Sequence, residues 1–160
     1  MQIRDIQPKD FADVADFENE NWTGIATPVI MSSTAEQIMN KILREGRDYY
    51  LAVNDDDNQI LGILDAGLRH PILASRHVMT FGLIVAEDFR EQGIAKALLK
   101  HFLEIARKEG FQKISMEVLA GNEPAISLYE SFGFVLEGRQ KKEFKIEGRY
   151  VDNLLYAYFL

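Results

Sequence analysis

Between Glu91 and Glu109 the apolar residues Ile94, Ala95, Leu98, Leu99, Phe102, Ile105 and Ala106 return with a helical period, and Gly110 closes the run. That pattern predicts a long amphipathic helix with one buried stripe. Phe11, Val14, Ala15 and Glu18 recur in the same way behind Pro8, with Asp10, Asp13 and Asp16 on the solvent side, which predicts a first helix over 8–20. Ser33-Thr34-Ala35-Glu36 fits a capping box ahead of Ile38, Met39, Ile42 and Leu43, a second helix stopped by Gly46. Strand patterns occupy 2–6, Tyr49–Val53, Ile60–Leu68, Val78–Val85 and Lys113–Leu119, with Asn54–Asn58 as a hairpin turn. Glu123–Phe132 reads as a last helix with Pro124 in its first turn, and Val135–Phe144 and Tyr150–Phe159 as a closing antiparallel pair. The order βααβββαβαββ predicts an α/β (α+β) fold: one domain over 1–160, with a mixed sheet of about seven strands flanked by about four helices.

Composition narrows the chemistry. The chain has 160 residues, enough for one self-sufficient core, and no cysteine, which removes disulfides, thiolate metal sites and cysteine nucleophiles. The net charge of −7 argues against a nucleic-acid or anionic-membrane surface. Residues 1–65 hold 13 acidic and 5 basic side chains, while 66–160 hold 12 and 13, so the two halves face different partners. The longest apolar run, Phe81–Ala86, is too short to span a membrane, and Asp5 and Asp10 do not suit a signal peptide, so a cytoplasmic location is expected. The acidic turn Asp55-Asp56-Asp57 lacks the spaced ligands of a calcium loop, and His70, His77 and His101 have no metal-ligand spacing, so no metal is expected.

The sharpest motif is Arg90-Glu91-Gln92-Gly93-Ile94-Ala95, which follows an apolar strand and opens the long helix. Small residues at that corner let a ligand approach the backbone, and the unpaired amides of the first helical turn favour a pyrophosphate. Neither the P-loop lysine nor the three-glycine dinucleotide fingerprint is present. Arg90-x-x-Gly93-x-Ala95 resembles the [Gln/Arg]-x-x-Gly-x-[Gly/Ala] signature of the GNAT superfamily of acyl-CoA-dependent N-acetyltransferases. Asn122-x-x-Ala125-x-x-Leu128-Tyr129-x-x-Phe132-Gly133-Phe134 is similar to the family's second signature. Met116-Glu117-Val118 through Phe134 looks most like the ribosomal-protein alanine acetyltransferases. Gly148-Arg149-Tyr150-Val151-Asp152 is similar to members acting on small amines, amino acids or polyamines.

The resemblance implies a GNAT-like sheet splayed between its two middle parallel strands, with acetyl-CoA as co-substrate. Its pantetheine arm would pair with Leu83, Ile84 and Val85. Its pyrophosphate would meet Arg90, Glu91, Gln92, Gly93, Ile94, Ala95 and Lys96, and Asn122 and Tyr129 would complete the cofactor site. The implied activity is direct acetyl transfer to a primary amine, either a small molecule or a peptide N-terminus. Tyr129 is the expected acid for the departing thiolate, though its helix face also suits the core. Glu117 points away from the apolar face of its strand and is the expected base, unless water takes that part. Asn122 suits a helix cap as well as a ligand contact. Glu18, Trp22, Glu36 and Asp65 are candidates for recognising the amine. The apolar tail Tyr150–Phe159 belongs either to the core or to a homodimer interface, and a non-catalytic acyl-CoA-binding module is the alternative reading of the whole.

Overall fold

A computed structural model describes residues 1–22 and 32–160. Seven strands form one sheet: β1 (Gln2–Asp5), β2 (Asp48–Val53), β3 (Ile60–Leu68), β4 (Val78–Val85), β5 (Lys113–Leu119), β6 (Val135–Ile146) and β7 (Arg149–Phe159). Their order across the sheet is β1-β2-β3-β4-β5-β7-β6. All neighbours pair antiparallel except β4 and β5, which are parallel because α3 crosses between them. The helices are α1 (Phe11–Asn21), α2 (Ala35–Leu43), α3 (Ile94–Lys108) and α4 (Glu123–Ser131). Among the described residues, the seven strands of one mixed sheet and the four flanking helices agree with the expected fold class.

Each face of the sheet carries its own core. On one, α3 buries Ile94, Leu98, Leu99, Phe102, Leu103 and Ala106 against Tyr50, Leu64, Phe81, Ile114 and Met116, and α4 adds Tyr129. Gly62 lets α3 sit close: a Cβ there would stand 3.1 Å from Ile94 Cγ2 and 3.2 Å from Leu98 Cδ1. On the other, Val14, Phe17 and Ile38 cover Tyr49, Leu51, Ile63 and Ile84. Among the described residues no helix is long and apolar enough to cross a membrane.

Several boundaries differ from the sequence reading. Pro8–Asp10 is a separate 3-10 turn ahead of α1. The cap of α2 is Thr34, one residue later than Ser33: Thr34 Oγ1 accepts from Gln37 N at 3.2 Å, and Gln37 Oε1 accepts from Thr34 N at 2.9 Å. Thus Gln37 does the work assigned to Glu36. α3 begins at Ile94 rather than Glu91, because Glu91 (φ 61°) and Gly93 (φ 83°) adopt left-handed backbone. β6 runs on to Ile146, past the expected end at Phe144. The stretch from Asn21 to Ser32, whose Gly24, Pro28 and lack of periodicity predict a loop, lies mostly outside the described residues.

The first strand is locked by a forked ion pair. Arg4 Nη1 and Nη2 donate to Asp10 Oδ2 and Oδ1 at 2.7 and 2.9 Å, and Gln7 N donates to Oδ2 at 2.8 Å. The Arg4 hydrogen bonds, helped by Gln7, outweigh burial and hold the Asp10 carboxyl below its ordinary value. Asp10→Asn is expected to destabilise the fold by roughly 2–3 kcal/mol at pH 7 in denaturant titrations. A carboxylate whose native pKa is lowered stabilises fully above its unfolded value of about 4 and loses that contribution as pH falls through the native one. The difference between the two proteins should therefore shrink below about pH 4.

Candidate active site

β4 and β5 pair only at Val78 with Lys113 and at Met79 with Ile114, then diverge. Ala86 N donates to Leu61 O at 3.0 Å on the β3 side of the chain. The even register between β3 and β4 then turns the N–H groups of Leu83 and Val85 the other way, into the gap.

Two cavities follow one another along this opening. One, of about 360 Å³, is lined by Leu83, Ile84 and Val85 of β4, by Arg90, and by Asn122, Ala125, Leu128 and Tyr129 at α4. The other, of about 250 Å³, is lined by Trp22 at the end of α1, Arg69 after β3, Thr80 and Gly82 of β4, Glu117 of β5, Phe144 of β6 and Asn153 of β7.

At the α4 cavity, Tyr129 is buried between Phe81 and Phe134, with ring centroids 5.6 Å away in each case. Burial pushes its phenol well above the ordinary tyrosine value, so it keeps its proton throughout the neutral range. Asn122 caps α4, its Oδ1 accepting from Ala125 N at 3.4 Å, and also lines the cavity. Arg90 Nε donates to Val85 O at 3.3 Å and so braces the strand-to-helix corner. Beyond the corner, the first helical bond runs from Ala97 N to Gly93 O. The amides of Ile94, Ala95 and Lys96 therefore have no partner within the helix, and the helix dipole adds to their pull on an anion. Among the described residues, no atom beyond Gly93 and its chain neighbours lies within 4 Å of where a Gly93 Cβ would stand.

At the Trp22 cavity, Glu117 faces away from buried Ile114, Met116 and Val118, as its place in the alternation predicts. Arg69 Nη2 donates to Glu117 Oε1 and Asn153 Nδ2 to Oε2, the latter at 2.8 Å. Burial pushes the Glu117 carboxyl up, but the bonds from Arg69 and Asn153 and the Arg69 charge outweigh it and hold it below its ordinary value. An anion so held attracts a cation strongly and takes up a proton weakly.

The four candidates for amine recognition separate. Trp22 lines the cavity. Asp65 does not line it but lies directly behind Gly82, which does, with Oδ2 bonded to Arg47 Nε at 2.6 Å. Glu18 lines neither cavity: it is buried against α2, where Lys41 Nζ (3.0 Å) and Tyr49 OH (3.2 Å) donate to it. Glu36 is exposed on the first turn of α2, also away from both. Arg69, Asn153 and Phe144 were not singled out in the sequence. A signal existed only for Asn153, a polar residue inside the apolar run of β7 that is 2% exposed.

Residues 11–134 match the model of the Acetyltransferase (GNAT) family. The crystal structure of smu.2055 from Streptococcus mutans UA159 superimposes with a TM-score of 0.92, at 35% identity over 99% of both chains. A SPbeta prophage-derived uncharacterized N-acetyltransferase, YokL of Bacillus subtilis (strain 168), is 26% identical over 98% of this chain and 88% of its own. The same fold, at 21% identity and a TM-score of 0.90, covers 99% of this chain and 88% of a GNAT superfamily phosphinothricin acetyltransferase from Sinorhizobium meliloti, solved in complex with AcCoA.

Gly93→Val puts a β-branched residue at a left-handed φ and a bulky side chain into the open space at the start of α3. Calorimetry should show acetyl-CoA affinity at least ~10-fold weaker than wild type. Unchanged affinity would detach this corner from the phosphates.

Proposed function

The chain belongs to the acetyltransferase (GNAT) family, and we propose that it transfers an acetyl group from acetyl-CoA directly to a primary amine in a ternary complex at the β4–β5 gap. The observation that carries this reading is the pair of adjoining cavities, which offers a donor and an acceptor separate approaches to one opening. Bound acetyl-CoA supplies an activated acetyl thioester. The residues present suit it: an open strand edge at Leu83 to Val85, unpartnered amides at the start of α3 and clear space above Gly93.

Leu83 and Val85 present backbone N–H groups to an extended amide-bearing arm and to the oxyanion that develops during transfer. Arg90 keeps this edge in place through Val85 O. Glu91, Gln92 and Gly93 shape the turn that brings the amides of Ile94, Ala95 and Lys96 to the pyrophosphate, with the Lys96 charge close by. Asn122 reaches the same arm from α4.

Tyr129 gives its proton to the departing thiolate. The apolar surroundings that raise its phenol also raise a thiol, so the proton passes between groups of comparable affinity. Without cysteine the chain has no thiol to carry the acetyl group, which supports direct attack by the amine. Glu117, kept ionised by Arg69, draws the ammonium form of the acceptor into the Trp22 cavity. The volume of that cavity, about 250 Å³, favours a small amine or the end of a peptide over a folded surface.

Tyr129→Phe tests the reading. With an accepted amine found by thiol release across amino acids and polyamines, kcat should fall by roughly 10² while the calorimetric Kd for acetyl-CoA stays within about twofold. Undiminished kcat would remove Tyr129 from the proton step.

A further inference from the structure

We propose that Asp65 removes the proton from the acceptor's ammonium, acting from β3 through the window that Gly82 leaves in β4. This deepens the acetyl-transfer reading and rests on it. Continuing the parallel register of Val78 with Lys113 and Met79 with Ile114 brings Gly82 level with Glu117 across the gap. On its other side Gly82 pairs directly with Asp65. The three residues form one row of the sheet, and side chains in a row share a face. The row reads carboxylate, glycine, carboxylate, at the point where β4 and β5 have parted.

Gly82 lines the acceptor cavity, and a Cβ on it would stand 2.5 Å from Asp65 Oδ1 and 3.4 Å from Trp22 Cζ2. Asp65 itself is not part of the lining; any side chain at position 82 would push its oxygen away and close the gap between it and the cavity. Arg47 fixes the opposite oxygen and so aims the carboxylate.

The two carboxylates suit different tasks. Glu117 is held low by Arg69 and Asn153, whereas burial raises the Asp65 carboxyl; Arg47 opposes that shift without cancelling it. The other charged or titratable groups around Asp65 are Glu18 of α1, Lys41 of α2, Tyr49 of β2 and, across Gly82, Glu117 of β5. A stronger base matters here, because an alkylamine of pKa ~10.4 is only about one part in 2,500 neutral at pH 7. In the step an N–H bond of R–NH3⁺ breaks, its electron pair stays on nitrogen, and an O–H bond forms on Asp65. The products are R–NH2 and a neutral carboxylic acid, which afterwards releases its proton to water.

Trp22 is the only tryptophan of the chain and packs at this spot, so it reports Asp65 without any acceptor. Its fluorescence should show a pH transition above the ordinary aspartate value of ~3.9. Asp65→Asn should abolish the transition, Gly82→Ala should shift it, and Glu117→Gln should retain it. With spermidine as acceptor, Asp65→Asn should lose about 100-fold in kcat/KM at pH 7 and recover to within about fivefold near pH 10, where far more of the amine is already neutral. A transition that survives Asp65→Asn, or that is missing from the wild type, overturns the assignment. So does a loss of kcat/KM that is equal at every pH. Calorimetry on wild type separates the two readings: absent acetyl-CoA binding overturns the acetyl-transfer reading, whereas normal binding beside a failed titration overturns Asp65 alone.

Discussion

The early parting of β4 and β5 is the constraint from which the rest follows. Two pairs of residues join these strands, after which the backbone of β4 turns the polar groups of Leu83 and Val85 toward an opening instead of a neighbour. Buried backbone donors without partners are costly, so a sheet that leaves them facing a cavity is preorganised for an extended ligand that bonds as a strand would. The flanking elements keep the gap open. α3 is seated tightly over β3 at Gly62, and β5 is tied along its whole length to β7, so neither strand is free to close on the other.

On the α1 and α2 side of the sheet the carboxylates are each held by a donor, whether or not they reach the opening. Glu18 is satisfied by Lys41 and Tyr49, Asp65 by Arg47, and Glu117 by Arg69 and Asn153. The acidic bias of the first 65 residues is thus partly internal. Some of it neutralises cations beneath α1 and α2, and Asp65 of that half stands directly behind Gly82 of the cavity lining. Burial without hydrogen bonds would make these charges unsustainable, which is why each carboxylate has a named donor.

The parts legible in the sequence were those governed by local periodicity. The stripe on α3 declares a buried helix face, the alternation in β5 aims Glu117 away from the core, and Arg90 to Ala95 marks a ligand corner because small residues and helix amides coincide there. Boundaries were less legible where backbone geometry overrides pattern. Glu91 and Gly93 continue an amphipathic register yet adopt left-handed conformations, and the charged residues between Gln140 and Phe144 give no sign that β6 shifts register there. The partners of Glu117 were least legible. Arg69 and Asn153 lie 48 and 36 residues from it along the chain, and only the sheet order brings them to the same side chain.

A crystal structure of the chain with CoA tests the central claim most directly. The pantetheine arm should lie in the β4–β5 gap, its amides bonded to the backbone of Leu83 and Val85, its pyrophosphate on the amides of Ile94 to Lys96 and its sulfur near the Tyr129 hydroxyl. Density for CoA elsewhere, with the gap closed by side chains and the α3 corner bare, would contradict it.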